Sequence, residues 1–490
     1  MNEQERFDKL IEKHPHPHIP SFHRPHTSRR RFFQMLGTGV SGYFLAGPWA
    51  PTPARAMSEV ETKNTAKQVI FIFLSGAPSH IDTFDLKFSA GVTPADFTPE
   101  TINGIEFPTG LLGNTAQVLD KVAIIRSGRS WALAHNLAQT WVQIARNPTS
   151  ALGRHAPHLG SVIAREKEPE RRPDQVFPSF VSFNARNAPG AGYYPAEFSP
   201  FKTNPSPNGL ANTSHADGQI RFEQRWDVLQ SIDAPLRATD SPLGDDVAGM
   251  GGFYDSARSL MFNPVVDNAF SFTDEESLAY GGTAFGNSCL LAKKIVAADG
   301  GTRFIQITHN SWDHHQGIYD RNEVNGREVG DNLYARCGEF DPGFAKLITD
   351  LEADGLLDDT LIVVSGEFGR TPGPLSAERA GRDHYLQMFY LLAGGGIQGG
   401  QVIGATDPTG AFTIDPGWSR FRDIRPEDID ATIYSAMGVN WTTRRDDDPL
   451  GRGFYYVPEA DKDVYGPVNE LWGVAPGPQA RAADGLDGPC

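Results

Sequence analysis

Three short segments concentrate carboxylate, imidazole and guanidinium groups in a pattern that could do chemistry. SGAPSHIDTFDLK carries His80, Asp82 and Asp85; HNSWDHHQG carries His309, Asp313, His314 and His315. The third runs from SGEFGRTP to GRDH and carries Glu367, Arg370, Arg382, Asp383 and His384. Carboxylate with imidazole is the donor set for zinc, manganese or iron, and two such ions can clamp a phosphoryl-type group. The guanidinium groups of Arg370, Arg382, Arg126 and Arg129 match the oxygens of a phosphate or sulfate ester. Any one of these side chains can instead be a loop cap or an ion-pair partner, so it is the recurrence of the pattern in three segments that points to a divalent-metal site for an anionic ester. Ser79, His80 and Asp82 are too close in the chain to be taken as a hydrolytic triad, whose members meet through the fold. There is no G-x-S-x-G elbow, H-E-x-x-H helix or Walker loop.

Each segment follows an apolar run. QVIFIFL (68–74), TRFIQIT (302–308) and TLIVV (360–364) are continuous and rich in β-branched residues, the pattern of strands buried on both faces. VAIIR (122–126), PSFVSF (178–183) and LQMFYLLAG (386–394) read as further strands, and helices are expected at about 131–145 and across SCLLAKKIVAADGG. Phe344, Leu347, Ile348 and Leu351 fall at i, i+3, i+4 and i+7, with Gly355 as a stop. Helix alternating with apolar strand predicts an α/β fold with a mostly parallel central sheet covered on both faces, and ligands then sit beyond the carboxyl ends of the strands. About 184–273 is rich in Pro, Gly, Asn and Ser and reads as an irregular insertion, with one helix near 221–231.

Before all of this comes a basic leader, SRRRFFQMLG, followed by a weakly apolar run and the small-residue site Ala54-Arg55-Ala56. Those are the parts of a removable twin-arginine signal. Residues 1–56 are therefore expected to be a signal peptide recognised by the twin-arginine export machinery, with 57–490 as the mature chain, periplasmic or extracellular. The apolar run of about 16 residues falls short of the roughly 20 that a spanning helix needs, so no stable membrane anchor is expected. A formal net charge of −16 disfavours nucleic acid and anionic membrane surfaces. The three cysteines, Cys289, Cys337 and Cys490, do not make a disulfide framework. Since twin-arginine substrates cross the membrane folded, a metal can be loaded before export.

The blocks FIFLSGAPSHIDTFDLK, SWDHH, LIVVSGEFGRTP, GRDHYLQMFYLLAGGGIQGGQVIGATD and DIDATIYSAMGV resemble, in order, those of the bacterial domain-of-unknown-function family 1501. The resemblance runs from about Val69 to Val439 and implies an exported protein of the alkaline phosphatase and sulfatase superfamily. The fold it implies is an alkaline-phosphatase-like αβα sandwich with metal ligands at the strand ends.

Carried over position by position, the superfamily site would place metal ligands at Asp82 (with Asp85 as neighbour), Asp313, His315, Glu367 and His384. The SDHG-type block is matched by Ser365 to Gly369 only with glutamate for aspartate and Phe368 in place of histidine. The nucleophile would fall in RSGRSWALAHN, where Ser127, Ser130 and His135 are candidates and Ser130 is preferred, with Arg370 and Arg382 on the ester oxygens. Two function classes follow. One is an exported metal-dependent hydrolase of phosphate or sulfate esters; the other is a catalytically degenerate relative serving as a periplasmic binding or assembly protein, which Phe368 and the weak nucleophile pattern favour.

Overall fold

The structure, a computed structural model, describes residues 60–185, 188–234, 254 and 256–473. The leader with its paired arginines and Cys490 lie outside the described residues. An eight-stranded sheet forms the centre, built from β1 (Gln68–Leu74), β2 (Val122–Arg129), β3 (Phe180–Phe183), β4 (Phe201–Thr203), β5 (Phe304–His309), β6 (Thr360–Ser365), β7 (Gln387–Ala393) and β8 (Val402–Ile403). Across the sheet the order is β8-β2-β7-β6-β1-β5-β3-β4. Only β7 runs antiparallel to its neighbours. The sheet is therefore mixed but mostly parallel, as the alternation of helix and strand predicts.

The longer helices among the described residues are α1 (His135–Ile144), α2 (Leu159–Lys167), α3 (Gly218–Asp233), α4 (Ala284–Ala298), α5 (Leu333–Ala353) and α6 (Pro426–Ala436), with shorter helical segments between them. Successive strand residues point to opposite faces, and β1 shows how this divides the core. Ile70, Ile72 and Leu74 pack with Leu290 and Leu291 of α4 and Leu347 and Ile348 of α5. Val69, Phe71 and Phe73 pack with Val162 and Ile163 of α2 and Ile429 and Ile433 of α6. Every residue of β1 is buried, which explains why its sequence does not alternate. The result is an αβα sandwich. Within the Pro- and Gly-rich stretch, β4 extends the sheet as its edge strand beside β3. No helix among the described residues is long and apolar enough to cross a membrane.

One buried imidazole carries a pH prediction. His158 accepts from the Gly160 N–H at the start of α2 through Nδ1 (2.9 Å) and packs on the Phe180 and Phe304 rings. Burial, with some help from the Lys202 charge, lowers its pKa to about 3. The unfolded chain therefore takes up this proton near pH 6.5 while the folded chain does not, so the contribution to stability is complete above pH 6.5 and is lost as pH falls toward 3. The expected slope is about 1.4 kcal/mol per pH unit in that window. Urea melts at pH 7, 5.5 and 4.5 should show it, and the slope should flatten in His158→Gln, whose amide oxygen can still accept from Gly160.

Candidate metal centre

The carboxyl ends of β1, β5 and β6 and the start of the antiparallel β7 share one edge of the sheet, and the polar segments meet there. The turn after β1 passes beneath the segment after β5. Gly76 has φ +110°, and a Cβ at that position would lie 2.6 Å from the Asp313 nitrogen. The chain after β6 forms a two-residue ladder, Gly369–Arg370 against His384–Tyr385, which sets Arg370 opposite His384. Gly381 allows the loop before His384 to lie against the His315 carbonyl, where a Cβ would come within 2.1 Å. His135 opens α1, directly after the loop that leaves β2.

Four side chains converge: His135, Asp313, His315 and His384 each offer one ligand atom, all within 4.8 Å of one another. His315 Nε2 lies 2.8 Å from His384 Nε2 and 3.0 Å from Asp313 Oδ1. His135 Nε2 lies 3.3 Å from Asp313 Oδ1, and His384 Nε2 3.8 Å. The far side of each ring faces an oxygen, and hydrogen bonds hold two of the three. His384 Nδ1 is 2.6 Å from the Leu133 carbonyl, His135 Nδ1 is 2.7 Å from Glu367 Oε1, and His315 Nδ1 is 3.5 Å from Asp383 Oδ1. A carbonyl or carboxylate oxygen can only accept, so His384 and His135 carry their protons on Nδ1 and turn Nε2 lone pairs into the cluster. His135 Nε2 is buried and has no hydrogen-bond partner. Convergent lone pairs with the opposite nitrogen anchored on oxygen are what a metal ion requires of imidazole. The charge also fits, since a divalent cation together with Arg370 would balance Asp313, Glu367 and Asp383.

In the protein alone the groups of the cluster shift in different directions. The hydrogen bond to Glu367 raises the His135 pKa despite burial, whereas burial lowers that of His384. Burial alone would push the Asp313 carboxyl up, but the Arg370 hydrogen bond and charge outweigh it and hold the group below its usual value. Arg370 Nη2 donates to Asp313 Oδ1 at 2.5 Å. Phe368, fully buried, forms the apolar wall, its ring centroid 4.9 Å from that of His135 and 4.6 Å from that of His384.

The structure thus brings Asp313, His315 and His384 together and adds His135, which the sequence reading weighed as a nucleophile and not as a ligand. The remaining candidates are placed differently. Glu367 is fully buried behind the cluster, where Oε1 accepts from Gly76 N–H (2.9 Å), Gln139 Nε2 (3.0 Å) and His135 Nδ1. It is not among the four converging side chains and touches the cluster through His135 Nδ1. Asp82 is outside the cluster: its carboxylate is taken by Arg382 Nε (2.8 Å), Ser79 Oγ (2.6 Å) and Tyr319 Oη (2.6 Å). Arg382 is equally occupied, with Nη1 donating to the Thr371 and Gly373 carbonyls. Arg370 spends its fork on the carbonyls of Ala77, Gly76 and Arg382 as well as on Asp313, and is fully buried. Neither arginine presents a free face to an ester. Ser130 donates Oγ to the Ala132 carbonyl at 3.1 Å and is 2 % exposed, so its hydroxyl is turned into its own loop. Asp85 pairs with Lys87 and Arg126.

Residues 66–452 match the family described as "Protein of unknown function (DUF1501)". The chain belongs to this family. Of the DUF1501 blocks that carry the resemblance in the sequence, three hold Asp313, His315, Glu367 and His384, while His135 lies outside all of them. No curated protein matches the chain. Among solved structures, it is similar to the lipoteichoic acid synthase LtaP from Listeria monocytogenes (13% identity, 79% of this chain and 76% of that one, TM-score 0.35). It is also similar to the phosphonate monoester hydrolase SpPMH from Silicibacter pomeroyi (10%, 84% and 78%, 0.37) and to the PsFucS1 sulfatase from Pseudoalteromonas sp. (13%, 76% and 68%, 0.35). At these identities and TM-scores, the likeness carries no argument about activity.

Proposed function

We propose that the chain is a metal-dependent hydrolase of phosphate- or sulfate-type esters, with one divalent ion held by His135, Asp313, His315 and His384. The observation that supports this reading most is the convergence of three Nε2 atoms on Asp313 Oδ1 with the Nδ1 of each ring facing an oxygen. When bound, the ion would supply Lewis acidity, polarising an ester oxygen and lowering the pKa of water. The chain's own part is to hold the donors. Glu367 and the Leu133 carbonyl fix the tautomers of His135 and His384, Arg370 aims Asp313, and Phe368 keeps water from the back of both rings. The Asp313 side chain is 44% exposed, which leaves the front of the cluster open to a ligand. Attack by water on phosphorus or sulfur forms one bond and breaks the bond to the alcohol oxygen, with the proton passing to the departing alcohol. No serine of the chain is required for this.

Four protein donors close a tetrahedral zinc but leave positions open on a five- or six-coordinate manganese or iron ion. Manganese or iron therefore fits the hydrolytic reading, while zinc fits a closed structural site and the alternative of a binding protein. Export by the twin-arginine route, with cleavage after Ala56, completes the proposal. The experiment is hydrolysis of 4-nitrophenyl phosphate, 4-nitrophenyl sulfate and 4-nitrophenyl phenylphosphonate after loading with each ion. Turnover of at least one, falling a hundredfold or more in Asp313→Ala, is expected. No turnover of any ester with any ion would favour the structural site.

A further inference from the structure

A cleft of about 750 Å³ opens at the carboxyl ends of β1, β3, β4 and β5. It adjoins the cluster through Gln139, which lines it and donates to both Ser75 Oγ (3.1 Å) and Glu367 Oε1. Its polar lining is dominated by carboxamides: Gln139, Gln143, Asn184, Asn204, Gln306 and Asn310. Gln306 Nε2 donates to Gln143 Oε1 (2.9 Å), and Gln143 Nε2 to the Gln139 carbonyl (2.8 Å), so the amides form a connected floor. Gln306 is 1% exposed and anchors this floor from below. The charged groups that line the cleft are ion-paired, Arg336 with Glu339 at 3.1 Å and Glu339 with His309 Nε2 at 2.8 Å, with Arg336 Nε left without a hydrogen-bond partner. Phe73 and Phe285 supply apolar surface.

We infer that this cleft binds a neutral, hydroxyl-rich chain, a glycan, and turns away polyanions. A carboxamide both donates and accepts, as does a hydroxyl, so a row of amides can pair with a row of hydroxyls without leaving either unpaired. A polyanion would meet no unpaired lining cation, in a protein whose formal net charge is −16. Calling the glycan a substrate rests on the hydrolytic reading of the adjacent cluster and gives that reading its substrate class: an ester whose single anionic group sits at the cluster and whose remaining body is uncharged. The binding itself does not depend on the metal.

The test is calorimetric titration of the full chain with maltohexaose, cellohexaose, laminarihexaose and chitohexaose, beside oligogalacturonate of the same length. Saturable binding of at least one neutral hexasaccharide is expected, at least tenfold tighter than that of oligogalacturonate and weakened tenfold or more in the double variant Asn204→Leu, Asn310→Leu. Both sites are exposed, and circular dichroism of the variant should match that of the wild-type chain. His384→Ala, which removes a metal donor, should keep its glycan affinity. That result separates the two readings, because glycan binding would survive failure of the metal site. Binding of none of the four, stronger binding of oligogalacturonate, or affinity unchanged in the double variant would overturn the inference.

Discussion

Asp82→Ala should destabilise the fold by about 3–5 kcal/mol, the usual cost of stripping one partner from a buried ion pair. Asp82 and Arg382 are 1% and 2% exposed, so solvent offers little screening. Loss of the carboxylate leaves the Arg382 guanidinium buried with only the Tyr319 hydroxyl and backbone carbonyls, and leaves Ser79 and Tyr319 without their acceptor. The measurement is a urea melt, and the double variant Asp82→Ala, Arg382→Met should recover a large part of the loss because it removes both charges. A ligand role for Asp82 makes a different forecast, namely loss of metal with the melt barely moved. The pair ties the turn after β1 to the loop before His384, so its failure should loosen the cluster as well.

Glu367→Gln is expected to weaken metal affinity by about 10–100-fold, the range for residues that orient a ligating histidine. The amide oxygen can still accept from Gly76, Gln139 and His135, so folding should survive while the negative charge is lost. Chelator competition at pH 7.5 gives the number. The sign is informative, because Glu367 also raises the His135 pKa, and a proton there competes with the ion. If holding that proton were its main effect, the glutamine variant would bind metal more tightly. In the wild-type chain, metal affinity should fall steeply as pH drops below the raised His135 value.

Much of the scaffold was legible because burial on both faces leaves a plain mark. QVIFIFL and TLIVV read directly as β1 and β6, and the i, i+3, i+4, i+7 spacing of Phe344 to Leu351 falls inside α5. Asp313, His315 and His384 stood out in the sequence because they follow or precede such strands, and the fold sets them side by side. His135 was harder to recognise as a candidate ligand: it begins a helix with no carboxylate beside it in sequence, and only the fold sets it against Glu367. Asp82 and Arg382 show the opposite failure. An aspartate after the first strand and an arginine in a polar loop look like a ligand and an anion clamp, and nothing local reveals that they pair with each other across 300 residues. Glu367 and Phe368 stand where the sequence resemblance led to an expectation of metal ligands. Here one is a buried acceptor behind a histidine and the other is a wall for two imidazoles.

The central claim is that one divalent ion sits among His135, Asp313, His315 and His384. The direct measurement is elemental analysis of the full chain, purified without a histidine tag or chelator and reloaded with manganese, iron or zinc, beside His384→Ala and His80→Ala. The account predicts close to one equivalent of metal in the wild-type chain, the same in His80→Ala, whose imidazole Nε2 faces the Gly410 carbonyl, and little in His384→Ala. Metal absent from the wild-type chain after reloading, or retained fully in His384→Ala, would contradict it.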